Sequence, residues 1–138
     1  MESMIENGEF LEYANVHGNY YGTSIKSVEN VIQQNKTCLL DIDIQGVQNV
    51  MNKIHDATTI LITPPSIEEL SKRLHHRNTD SEEAIQLRLH NSIHELEVAQ
   101  SLPFTHVIVN DTLDSAYSQL IDCLSNLLSF AVCFYNSC

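Results

Sequence analysis

Thr37-Cys38-Leu39-Leu40-Asp41-Ile42-Asp43-Ile44-Gln45-Gly46, residues 37–46, is the stretch from which the fold class is read. An apolar run of strand length whose far end turns acidic predicts a buried β-strand over 37–44. A helix is predicted next, with Val47, Val50, Met51 and Ile54 on one face. The apolar run 58–63, closed by Pro64-Pro65, reads as a second strand. Ser66 caps a helix whose buried stripe is Ile67, Leu70 and Leu74, with Glu68 and Glu69 in its first turn, where the helix dipole favours acids. After the polar break 77–81, the spacing of Ile85, Leu89, Ile93 and Leu96 predicts a long helix over 81–101. His106-Val107-Ile108-Val109 is a third strand and 113–128 a last helix. Strands alternating with helices make an α/β protein with a parallel sheet and right-handed crossovers. Ligands of such sheets lie beyond the carboxyl ends of the strands, which singles out Asp41, Asp43 and Asn110.

Upstream, residues 1–7 are compatible with a short helix that Gly8 ends. Phe10 to Val16 reads as a strand, His17-Gly18-Asn19 as a turn and Tyr20-Tyr21 as a short returning strand. Ser24 caps a helix with Ile25, Val28, Val31 and Ile32 on its apolar face. The 138 residues fit a single domain, and 43% apolar with 18% charged residues is a globular balance. A formal charge of -11 disfavours nucleic-acid binding but leaves room for a small nucleotide held by a few local arginines. The four cysteines form no CxxC pair and read as reduced thiols of a cytoplasmic protein. The longest apolar stretch, 127–135, is far short of a membrane span.

Several side chains can carry chemistry. Asp41 and Asp43, two apart on an extended strand, would project to the same side about 7 Å apart. Such a pair can hold a hydrated Mg²⁺, accept from base amino groups or orient an arginine; equally, one can be a buried ion-pair partner and the other solvent-facing. Glu12 lies within a strand, where glutamate is disfavoured, and its carboxylate can accept from two adjacent N–H donors; the plainer reading is an outward charge on an edge strand. Tyr21 and Thr23 offer a phenol and a hydroxyl beside Gly22, whereas Tyr20 reads as packing. Arg73, Arg77 and Arg88 surround the polar break, as in a lid closing on phosphates or in a solvated helix–loop–helix. His90 and His94 have zinc-ligand spacing, but Asn91 stands where an HExxH motif has glutamate and no third ligand is evident.

Taken in order, Gly8-Glu9-Phe10-Leu11-Glu12, Gly18-Asn19-Tyr20-Tyr21-Gly22-Thr23, residues 40–46, Pro64-Pro65-Ser66, residues 77–83 and Val109-Asn110-Asp111 resemble the guanylate kinase family, including its non-catalytic interaction modules and truncated viral homologues. The resemblance runs from Met1 to about Leu124. It implies an incomplete P-loop-kinase-like sheet with flanking helices, a GMP-binding hairpin region over 8–23, a helical lid over 73–88 and an atypical tail over 129–138. Glu12 would read the guanine edge, Tyr21 would contact the GMP phosphate, and Gly22 and Thr23 would lie near the base. Asp41 and Asp43 would stand near the base and the metal–phosphate centre, Asp43 reaching metal through water. Arg73, Arg77 and Arg88 would be lid arginines and Asn110 would lie beside adenine. Asn78 replaces the family's usual glycine.

The family reaction is ATP + GMP to ADP + GDP, with Mg²⁺. No G-x-x-x-x-G-K-S/T occurs in the 138 residues, and Met1 falls where the family has an internal position. The expectation is therefore a chain without the ATP cradle, inactive in phosphoryl transfer, with only weak, residual GMP binding through Glu12, Tyr21 and the acids. The alternatives are a protein-interaction module, or an active kinase if an upstream segment is supplied. A missing first strand would expose sheet edges open to self-association or a protein partner; neither nucleic acid nor membrane is expected as a partner.

Overall fold

The computed structural model describes residues 2–16, 19–76, 81–126 and 131–136. The chain divides into two compact units, Met1–Thr59 with Leu128–Phe134, and Ile60–Leu127 with Tyr135–Cys138.

In the first unit, helix α1 (Glu2–Glu6) stops at Gly8, which takes the left-handed φ of 69°. Strands β1 (Phe10–Val16) and β2 (Asn19–Ser24) form an antiparallel hairpin. The returning strand is longer than the two tyrosines expected, because Gly22 lets the backbones close: a Cβ there would lie 2.5 Å from the Glu12 carbonyl oxygen. Helix α2 (Ile25–Gln33) is capped by Ser24, whose Oγ accepts from the Ser27 amide at 3.2 Å. Strand β3 (Cys38–Asp41) is shorter than the predicted run, because Asp43 leaves the strand to cap α3 (Ile44–Lys53). Its Oδ1 accepts from the Gly46 amide at 2.7 Å. The core joins Leu11, Val28, Cys38, Leu40, Val50 and Cys133.

Cys133 comes from the tail. Residues expected to be atypical form strand β6 (Ala131–Asn136), parallel to β3 in the register Cys38↔Ala131 to Asp41↔Phe134. Val132 and Cys133 are fully buried. Where open sheet edges are expected, one edge of β3 is thus occupied by the chain's own strand. The physical reason is that a short apolar run and an unsatisfied strand edge satisfy each other's backbone groups while burying side chains. Nothing local in 131–136 specifies which edge it will choose.

In the second unit, β4 (Thr58–Thr63, from Ile60 onward) pairs in parallel with β5 (His106–Val109). Helices α4 (Ile67–His76) and α5 (Glu82–Gln100) pack through Leu70, Leu74, Ile85 and Leu96, with Leu89 at the margin. Ser66 caps α4 as the sequence predicts, and Ser81 caps α5, each accepting from the amide three residues on. Helix α6 (Leu113–Ser125), capped by Thr112, ends three residues before the predicted limit and packs against β5. The α/β reading, with parallel strand pairs, a separate hairpin and flanking helices, holds. No helix of the described residues is long and apolar enough to cross a membrane.

Candidate functional site

The hairpin brings Glu12, Tyr21 and Thr23 together. Its register pairs Glu12 with Thr23 and Ala14 with Tyr21. Directly paired residues and their neighbours two along share a face, so Glu12, Ala14, Tyr21 and Thr23 lie on one side of the hairpin. Glu12 is only 8% exposed, whereas Tyr21 is 61% exposed, so this face runs from an inward carboxylate to an outward phenol. A carboxylate so far from solvent is costly unless it accepts hydrogen bonds, which makes it an acceptor suited to paired N–H donors. The edge-strand alternative for Glu12 thus gives way to an inward carboxylate.

The ladder is irregular between Phe10 and Glu12. There the Lys53 ammonium, at the end of α3, donates to the Phe10 carbonyl at 2.8 Å and the Leu11 carbonyl at 3.0 Å. The sequence reading did not single out Lys53. Its only local signal is a cation in the last turn of a helix, which the dipole alone accounts for.

Asp41 ends β3 and is exposed, while Asp43 lies beyond the strand as the α3 cap. The two do not project from one strand as the spacing predicts. One oxygen of Asp43 is committed to the Gly46 amide, and the space beside Gly46 is tight: a Cβ there would lie 3.1 Å from Ile42 Cβ. Behind the hairpin, Cys133 is no nucleophile: burial, then the nearby Cys38 and Glu12 charges, push its thiol up to about 12.

In the second unit, Arg73 meets Asn110. Its Nε donates to Glu69 Oε1 at 3.1 Å, Nη1 to the Asn110 carbonyl at 2.8 Å and Nη2 to the Asp111 carbonyl at 3.1 Å. The Asn110 amide in turn donates to the Thr63 carbonyl at 2.8 Å, so the guanidinium braces the turn that follows β5. A hollow of about 420 Å³ beside the end of β4 is lined by Thr63, Pro64, Ser66, Ile93, Glu97 and Gln100. Arg88 is exposed on α5, and Arg77 and Asn78 lie outside the described residues. Across that break, His75 Nε2 lies 3.4 Å from both carboxylate oxygens of Glu82, and His75 Nδ1 lies 2.7 Å from the Ser71 carbonyl. The Ser71 carbonyl, then Glu82, raise the His75 pKa above its ordinary 6.5. Hydrogen bonds from Gln86, then His75, lower that of Glu82 below 4.5. His94 makes a loose contact with Glu97 at 4.0 Å, and no three potential metal ligands gather among the described residues.

A family profile described as "Guanylate kinase" matches residues 1–127. The chain is 48% identical over 126 residues to "Guanylate kinase 1" of Oryza sativa subsp. japonica, covering 91% of this chain and 33% of that protein. It is 47% identical over 125 residues to "Guanylate kinase" of Fusobacterium nucleatum, covering 91% of this chain and 66% of that protein. Among solved structures, the guanylate kinase from Anaplasma phagocytophilum superposes with a TM-score of 0.68 at 29% identity, over 90% of this chain and 58% of that one. The chain thus spans between a third and two thirds of the length of these relatives. Strand β6 lies outside the matched span.

Proposed function

Because the chain belongs to the guanylate kinase family, we propose that its hairpin face binds GMP, and that the 138 residues by themselves do not transfer phosphate. The observation that carries the first part is the inward Glu12 carboxylate set opposite Thr23. Guanine presents two adjacent donors, the N1–H and the 2-amino group, and one carboxylate accepts both. Thr23 offers a hydroxyl to the same edge, and the exposed Tyr21 phenol donates to the GMP phosphate. Family membership suggests roles near the base and the metal–phosphate centre for Asp41 and Asp43, lid roles for Arg73, Arg77 and Arg88, and an adenine contact for Asn110. Free thiols at Cys38, Cys123 and Cys133 suit a reducing, cytoplasmic setting.

Mg²⁺ and ATP do not fit the residues present. Their phosphates need nested backbone amides and a lysine, and no G-x-x-x-x-G-K-S/T occurs in the sequence. Asp43 is partly spent on its cap. Loss of even one such donor typically costs about 10²-fold or more in rate.

A thermal-shift titration tests the binding. GMP is expected to raise the melting temperature with concentration, and AMP and ATP to raise it less. A cooperative melt that GMP leaves unmoved would remove the nucleotide reading. For transfer, ADP release from ATP and GMP is expected to stay at background; ADP formed by the 138-residue chain would overturn the second part.

A second reading, a protein-interaction module, is favoured by one observation. Leu113, Tyr117 and Ile121 lie at four-residue intervals along α6, are 77%, 62% and 40% exposed, and form an apolar stripe. A GMP-insensitive but cooperative melt would favour it.

A further inference from the structure

We infer that Lys53 is a positioning residue for base recognition: by holding the β1 bulge it sets Glu12 opposite Thr23, and so determines discrimination between guanine and bases lacking the 2-amino group. This rests on the GMP reading and goes beyond it.

The register carries the inference. Phe10 pairs with Ser24, yet Glu12 pairs with Thr23, so two steps along β1 match one step along β2. Leu11 is the extra residue of a β-bulge. Strict alternation would bury every second residue, but Phe10, Leu11 and Glu12 are buried in succession, at 6%, 3% and 8% exposure. Without the bulge, continuing the Phe10↔Ser24 register would set Leu11 opposite Thr23 and Glu12 opposite Gly22, which has no side chain. A one-residue slip of this kind exchanges the two faces of a strand. The bulge is therefore what gives the hairpin a face bearing a carboxylate and a hydroxyl together.

A bulge disrupts its ladder and leaves backbone groups to be satisfied elsewhere. Here the two carbonyls at the bulge, those of Phe10 and Leu11, both accept from one ammonium, at 2.8 Å and 3.0 Å. Ammonium-to-carbonyl bonds are charge-assisted, and three donors on one nitrogen serve two acceptors without strain. Lys53 ends α3, which packs on β1 and whose first turn Asp43 caps, so a regular helix fixes the point from which the ammonium reaches. The bond spans 42 and 43 residues of sequence, and neither partner's neighbours reveal it.

GMP and IMP differ at the 2-amino group, so the ratio of their affinities reads the aim of the Glu12 carboxylate rather than the general health of the hairpin. Isothermal titration of the full chain with each nucleotide is the test, with Lys53→Met, Lys53→Arg and Glu12→Gln beside the unaltered protein. The unaltered chain is expected to prefer GMP. Lys53→Met is expected to lose that preference by about tenfold or more, approaching Glu12→Gln. Lys53→Arg, which keeps several N–H donors on one group, is expected to restore most of it. If Lys53→Met weakens GMP and IMP by the same factor, Lys53 is only a structural anchor and the inference is overturned while the GMP reading stands. If the unaltered chain shows no preference for GMP over IMP, base reading by Glu12 fails and the inference fails with it. Should Lys53→Met not melt cooperatively, Lys53→Gln, which retains a shorter pair of donors, is read by the same ratio and decides between the same outcomes.

Discussion

Asp43 shows how one side chain can be asked for two roles. The family resemblance implies a place near the metal–phosphate centre, whereas the geometry gives it the first-turn amide of α3, 2.7 Å from Gly46 N. An N-cap is worth about 1 kcal/mol, and asparagine caps as well as aspartate does. Asp43→Asn is therefore expected to keep the denaturation midpoint, while Asp43→Ala lowers stability by about 0.5–2 kcal/mol. If Asn proves as damaging as Ala, the negative charge and not the cap is what the site needs. The cap was hidden in the sequence because Asp41-Ile42-Asp43 alternates as a strand does, and alternation alone does not mark where the strand hands over to the helix. Glu12 presented the reverse case. Its residue type was conspicuous in a strand, but its direction depended on a bulge held from another element.

Among the elements, the join between α4 and α5 has a titratable clasp in His75 and Glu82. The His75 pKa is raised in the fold, so its contribution is complete below the ordinary 6.5 and is lost as pH rises through the raised value. The Glu82 pKa is lowered, so its contribution is present above the ordinary 4.5 and is lost as pH falls through the lowered value. The clasp is strongest between those two values. Proton exchange of the α5 first-turn amides, compared at pH 5.5 and pH 8, is expected to be better protected at the lower pH after correction for intrinsic rates. Equal protection, or the same change in His75→Gln, would leave the clasp without effect. Strand β6 supplies the other test at this scale. Removing residues 131–136 uncovers the β3 edge and takes Cys133 out of the core. The shortened chain is expected to sediment as concentration-dependent oligomers and to lose a cooperative melt. A monomer with an unchanged melt would make β6 dispensable.

At the scale of the whole molecule, a chain of net charge -11 carries a site proposed for an anionic nucleotide. Affinity then depends on short-range contacts at the hairpin, because distant charges are screened beyond roughly 10 Å at ordinary ionic strength. The sequence by itself determined the α/β class and the family. It also determined the helix caps at Ser24 and Ser66, and the candidate set around Glu12, Tyr21 and Thr23. Those features follow from local periodicity, capping chemistry and the order of short motifs, all written in neighbouring residues. Only the tertiary structure decided that Glu12 turns inward, that Asp43 caps α3, that Arg73 braces the Asn110 turn, and that the tail is a strand beside β3. Apart from the Asp43 cap, which is a contact of three residues' span, each of these depends on a group finding a partner far along the chain. Such a partner is chosen by three-dimensional proximity and the cost of leaving a buried polar group unmet, which no local pattern records.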